Sequence, residues 1–243
     1  MKKSVFLCLI LLSVFFASCA PKVLGPSALM EEETLTEELI KRIDLSYIKT
    51  LRAELRVSLY EGERHRGTFS GYIFYKRGLG FSARLLGPLS MTVADIIIKE
   101  GQLLLYIPSR GRLYTAKVSL EALLPDGESI RRSPHFIKKT SEGTALFTSD
   151  RTEGKKLTRI YYFSGDDLNW TELKIFTEDE QKIKVDIKKR IKKLPVRFTA
   201  GYKDLSLKVS LKNQVINGPI SNRVFYRSLK GVAEPVTNLL EGL

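Results

Sequence analysis

The chain has 243 residues, 43% of them hydrophobic and 28% charged, which excludes a disordered polymer and allows a large packed core. Its 40 Lys and Arg against 27 Asp and Glu give a net charge of +13. With 2 Cys and 2 His it has too few ligands for a closed zinc site built from those residue types.

The chain opens with Lys2 and Lys3, then an apolar run from Val5 to Phe16 broken only by Ser13, then small Ala17 and Ser18 before Cys19. This is the layout of a secretion signal. Twelve helical residues rise about 18 Å, well short of a hydrocarbon core of roughly 30 Å, so the run is no stable membrane span. The stretch Phe16–Ala17–Ser18–Cys19 resembles the lipobox of bacterial lipoproteins, with Phe16 where Leu is usual. That resemblance implies a signal peptide over 1–18 and lipidation at Cys19; the ordinary alternative is cleavage nearby without lipid. The mature chain keeps 38 basic against 27 acidic residues and no thiol except Cys19, so it forms no internal disulfide. Ala20 after the cysteine resembles the outer-membrane default of enterobacterial lipoproteins.

Residues 19–26, with Pro21 and Pro26, read as a lipidated tether, and 27–243 as a single domain. Ser27 is a candidate cap for a helix through about Asp44, whose Leu35, Leu39, Ile40 and Ile43 form an apolar stripe. After Thr50 the period changes to two. Leu51, Ala53, Leu55, Val57 and Leu59 alternate with polar neighbours, and Phe69, Gly71, Ile73 and Tyr75 repeat the pattern before Phe81, Ala83 and Leu85. Further strands are predicted at about 91–99, 102–108, 112–118, 144–149, 155–164, 168–177, 181–190, 195–201 and 204–212. Residues 120–140, with Pro125, Gly127 and Pro134, lose the alternation and read as a loop region with room for a short helix, and 213–243 carries turn signals and weak periodicity. About a dozen strands with one apolar face must curl into a barrel or half-barrel to hide it.

Enzyme motifs are absent. Gly78 and Gly80 lack the third glycine of a dinucleotide loop, and neither a Walker sequence nor a nucleophile elbow occurs. His65 sits between two arginines and His135 follows Pro134; both read as solvated or locally hydrogen-bonded side chains. Asp166 and Asp167 occupy a turn, where Asp is expected for local reasons. The chain is therefore read as a non-enzyme with no cofactor and no metal. The basic stretch Lys182, Lys184, Lys188, Lys189, Arg190, Lys192 and Lys193 alternates with Ile183, Val185, Ile187 and Ile191. Its cations are expected to point outward, either as an edge-protecting face or as a docking patch for anionic head groups or an acidic partner. Nucleic acid is not an expected partner of an exported protein.

The order from Thr68–Phe69–Ser70–Gly71–Tyr72–Ile73 through Phe81–Ser82–Ala83–Arg84–Leu85–Leu86, Gly87–Pro88–Leu89–Ser90, Leu103–Leu104–Leu105–Tyr106–Ile107–Pro108 and Arg112–Leu113–Tyr114 resembles the LolA/LolB-like lipoprotein-carrier superfamily. The lipid anchor brings the layout nearer the LolB type. The resemblance implies a mainly β (α+β) fold, an antiparallel unclosed barrel or half-barrel of about 11 strands with plugging helices. It implies an apolar cavity for acyl chains, to which we assign Phe69, Ile73, Phe81, Leu85, Leu103 and Leu105. It also makes Gly87, Pro88, Leu89 and Ser90 the loop that presents an apolar residue to the membrane. The long run 213–243 fits the LolB pattern less well. The expected function is lipid or lipoprotein reception at the periplasmic face of the outer membrane, with acyl chains, the membrane and a periplasmic carrier protein as partners. The alternative is a structural or accessory lipoprotein of an envelope complex with a filled barrel, and an enzyme comes third.

Overall fold

In the computed structural model the described residues are 32–117, 124–141, 143–152, 155–165, 167–178 and 180–235. The signal peptide, Cys19 and the tether lie outside them. Helix α1 (Glu32–Ile43) has glutamates in its first turn and Lys41 and Arg42 in its last, the order that suits the helix dipole. Its predicted stripe, Leu35, Leu39, Ile40 and Ile43, is completely buried.

Fourteen strands follow among the described residues: β1 (Thr50–Glu61), β2 (Arg64–Lys76), β3 (Gly80–Leu86), β4 (Thr92–Lys99), β5 (Gln102–Ile107), β6 (Arg112–Lys117), β7 (His135–Thr140), β8 (Gly143–Thr152), β9 (Lys155–Ser164), β10 (Trp170–Thr177), β11 (Glu180–Ile191), β12 (Leu194–Tyr202), β13 (Leu205–Ile216) and β14 (Val232–Pro235). They form one unclosed sheet, ordered β14-β6-β5-β4-β3-β2-β1-β13-β12-β11-β10-β9-β8-β7. Neighbours are antiparallel throughout, except that β14 runs parallel to β6. The expected mainly β, unclosed antiparallel sheet is present with more strands than the sequence announced. The additions are β7 and β14, which form the two edges of the sheet.

Two meanders meet at the centre. Strands β1–β6 are consecutive neighbours, β7–β13 are another such series, and β1 joins β13 between them. Asn217 clamps the end of this seam: its side-chain oxygen accepts from the Lys49 amide at 2.7 Å and its side-chain NH₂ donates to the Tyr47 carbonyl at 3.0 Å. Helix α2 (Gly127–Arg132) is capped by Asp126, which accepts from the amides of Glu128 and Ser129. It is tied to the end of α1 through Asp44, which accepts from the Gly127 amide, and through the Arg131–Glu37 ion pair at 3.0 Å.

Cross-strand pairing fixes the faces of the sheet, because partners directly opposite each other point the same way. One inner face carries both buried clusters. The first joins Leu51, Ala53, Leu55, Val57, Ile73, Tyr75, Ala83 and Leu211 to Leu45 and Ile48 of the segment after α1. The second seats α1 on Leu146, Tyr161, Phe163, Trp170 and Ile187. Over β8–β11 the expected plugging helix is α1.

The outer face is covered in part by the chain beyond β13. Phe225 is fully buried, Lys76 donates to Asn222 at 2.9 Å, and Arg227 donates to the buried Ser82 hydroxyl at 2.6 Å and to Asp95 at 3.0 Å. Asp95, itself only 4% exposed, also pairs with Arg84 at 2.8 Å. This strap then reaches the edge of the sheet as β14, where Glu234 pairs with Arg112.

Candidate functional site

The six proposed cavity residues share the inner face. Ile73, Ala83, Ile96 and Leu105 are successive cross-strand partners, as are Tyr75, Phe81, Ile98 and Leu103, while Leu85 faces Gly71 and Phe69 faces Val57. Ile73 is buried in the first cluster, Phe81 and Leu85 pack against it, and Phe69, Leu103 and Leu105 are partly exposed. The glycine at 71 is sterically required: a Cβ there would stand 1.9 Å from the Arg84 carbonyl oxygen.

Burial along the inner face is graded. At the end where β1 begins, Leu51, Tyr75, Ile98 and Leu194 are buried. Towards the opposite end, Leu59, Phe69, Leu85, Leu173 and Ile175 are only partly covered, and Ile183 and Leu207 are 37% and 39% exposed. Large apolar side chains on the packed face of a sheet are normally hidden, so this end leaves an apolar surface incompletely covered. The alternation of the strands announced the face, but the loss of cover at one end has no sequence signal.

The β3–β4 turn lies at the same end of the sheet. Pro88–Ser90 makes one tight turn in which the Met91 amide donates to the Pro88 carbonyl at 3.2 Å, and the Gly87 amide donates across its base to the Met91 carbonyl at 2.8 Å. Leu89 and Ser90 adopt left-handed φ values of 54° and 59°, a conformation unfavourable for L-residues. Leu89 is 95% exposed, and Met91, which the sequence reading passed over, is 66% exposed. In the neighbouring β5–β6 turn, at the same end, Arg110 is exposed and has no ion pair among the described residues.

The basic stretch of β11 is not gathered on one outward surface. Lys184 bridges Glu172 at 2.7 Å and Asp186 at 3.2 Å, and Glu172 also holds Lys174 at 3.0 Å. These lysines are held above their usual pKa first by their bonds to Glu172. Lys193 donates to the Lys41 carbonyl at the C-terminus of α1, at 2.6 Å. Lys188, Lys189 and Lys192 are exposed, while the side chain of Lys182 is outside the described set. Arg190 differs from the expectation of outward cations: it turns in over the Trp170 ring, 5.5 Å from the centroid. The cause is a pair of register irregularities against β12, on either side of Lys189, which break the alternation.

Both histidines are locally bonded, His65 to the Thr68 hydroxyl at 3.0 Å and His135 to the Ser133 carbonyl at 2.8 Å. Among the described residues there is no metal-ligand cluster and no helix long and apolar enough to cross a membrane. A second apolar surface lies outside: Phe136 stacks on Phe147 at 4.6 Å and, with Ile160 and Phe176, lines an open cavity of about 520 Å³ beside edge strand β7.

No family model and no curated protein sequence matches the chain. Solved structures do. A LolA superfamily protein from Nitrosomonas europaea superposes with a TM-score of 0.57 at 8% identity, over 82% of this chain and 99% of that one. A DUF1329 family protein from Desulfovibrio piger gives 0.53 at 10% identity, covering 81% and 98%. A domain named for outer membrane lipoprotein sorting, from Vibrio parahaemolyticus, gives 0.52 at 12% identity, covering 78% and 94%. The chain therefore has the fold of the LolA-like superfamily.

Proposed function

We propose that the protein is a lipid-anchored envelope protein, held through Cys19, that takes acyl chains of lipids or lipoproteins against its inner face and assists their reception at the outer membrane without catalysis. The observation that carries this reading is the coincidence of two apolar features at one end of the sheet. Ile183 and Leu207 open the inner face there, and Leu89 and Met91 project from the same end. Apolar surface left bare in water is unfavourable by about 25 cal/mol per Å², so both features gain by meeting an acyl chain or a bilayer. The LolA-like fold supports the same reading.

The two inner clusters favour a second reading. Leu45, Ile48 and α1 fill much of the inner face with the chain's own side chains, as a structural lipoprotein would require. Titration with an apolar fluorescent dye, followed by displacement with palmitate or hexadecanol, separates the two. Saturable binding that Leu207→Asp weakens is the expected result; absence of any saturable acyl binding transfers the assignment to the structural role. The intact mass of membrane-extracted protein tests the anchor, with loss of 1–18 and added lipid on Cys19 expected.

A further inference from the structure

Arg190 and Trp170 present donors that the fold does not satisfy. The Nε and Nη2 atoms of Arg190 and the Nε1 atom of Trp170 are enclosed and have no hydrogen-bond partner among the described residues. Trp170 is itself 5% exposed and Arg190 is partly exposed. Nε and Nη2 form the side edge of the guanidinium, the pair of parallel donors that grips two oxygens of a carboxylate or phosphate. Buried donors of this kind are nearly always paired in folded proteins.

Among the described residues no carboxylate fills the need. Asp167 is committed to the Ser164 hydroxyl and to both the side chain and the amide of Asn169. Asp186 is paired with Lys184. Nor does Arg190 face inward by default: regular alternation from the buried Ile187 would place residue 189 inside and residue 190 outside. The pairing with β12 is irregular on both sides of Lys189, and Arg190 stands over the ring of Trp170, a member of the inner cluster. Bulges of this kind re-aim a side chain and are frequent beside functional sites.

We infer that Arg190 and Trp170 form a receptor for the anionic head group of an acyl ligand, a carboxylate or a phosphate monoester, whose tail follows the apolar inner face. The inference rests on the acyl-binding reading above and adds the polarity of the ligand. Arg190 Nε and Nη2 donate to two head-group oxygens, and the indole N–H supplies a third donor. Burial lowers the pKa of Arg190, with Asp167 opposing the shift through its charge, and an anion bound alongside would oppose it further.

The test compares palmitate, hexadecyl phosphate and hexadecanol on the unaltered mature protein by dye displacement, so it needs no variant to fold. The two anionic ligands are expected to bind about tenfold or more tightly than the alcohol, the ratio for one charge-assisted hydrogen-bond pair. If only one of the two shows the preference, that one identifies the head group. In Arg190→Gln, and to a lesser degree in Trp170→Phe, the preference should shrink towards unity while hexadecanol affinity stays unchanged. Equal binding of all three ligands to the unaltered protein overturns the inference and leaves the acyl-binding function standing, with ordered water as the partner of the three donors. Equal anion preference in Arg190→Gln and the unaltered protein also overturns it. Failure of every ligand to bind removes the inference and the acyl-binding function together.

Discussion

Truncating Phe225 tests whether the strap beyond β13 is an integral part of the domain. The ring is fully buried and lies against β3, so close that a methyl group on Gly80 would come within 3.2 Å of it. Phe225→Ala removes a complete aromatic side chain from such a site, a loss of about 3–5 kcal/mol once the cavity is included. For a domain of this size each kcal/mol lowers the melting temperature by about 2–4 °C, so global coupling predicts a fall of about 6–20 °C. The strap lies on the outer face of the sheet and is the last part of the described chain, so part of the loss should emerge as local opening. Hydrogen exchange then reports early loss of protection in β14 and on the facing edge of β6, with β1 and β13 unaffected. Tyr226→Ala is the control, because its ring is 52% exposed with the Lys99 ammonium 4.7 Å from the centroid, an interaction of about 1 kcal/mol or less. Unchanged melting together with unchanged exchange in Phe225→Ala would refute the anchoring role of the ring.

Other consequences are as direct. Leu89→Glu should leave melting intact, since the side chain is 95% exposed, yet reduce liposome association; unaltered association would exclude the turn from membrane contact. Gly71→Ala should destabilise by at least about 1–3 kcal/mol in denaturant titration, because the new methyl meets the Arg84 carbonyl of β3 and forces β2 and β3 apart; a midpoint within error of the parent would contradict that clash. The Ser164 hydroxyl, followed by the side chain and amide of Asn169, holds the Asp167 carboxyl at about 2 against its usual 3.8. Its folded pKa is thus below its unfolded one, and the stability it adds is complete above about pH 4 and lost as pH falls towards 2. Melting of Asp167→Asn across that interval should be less steep in pH than the parent, and an identical slope would show that other carboxyls govern it.

Strands β1 to β6 and β8 to β13 were legible because one face of each is packed, and the alternation follows directly from the two-residue period of the pleat. The apolar stripe of α1 was legible for the corresponding reason at the helical period. β7 was not, since Phe136 and Ile137 are adjacent apolar residues and the strand is stabilised by pairing with β8 on one side only. β14 was illegible because its sequence, ending in Pro235, has no strand pattern and gains its conformation from the parallel contact with β6. Phe225 shows the same limit: its burial depends on a surface 145 residues earlier in the chain, which no local period records. Arg190 failed differently. The alternation that placed it outside holds up to Ile187, and the irregular pairing with β12 depends on both strands.

The β1–β13 seam sets the order of events during folding. Every other antiparallel pairing joins consecutive strands, which a growing hairpin can form locally, whereas the seam closes a loop such as that between Thr50 and Gly218, 168 positions apart. Closing a flexible loop of that length opposes folding by about 4–5 kcal/mol before any contact compensates it. The two arms therefore assemble as separate meanders, and their docking along β1 and β13 is the slow, nonlocal step. Until it occurs, both arms expose a long unpaired strand with an apolar face, the surface through which two unfinished copies would join by mistake. The side chain of Asn217 and the hydroxyl of Thr50 bridge the junction at the end where it begins, so the interval in which such exchange can happen ends when those contacts form.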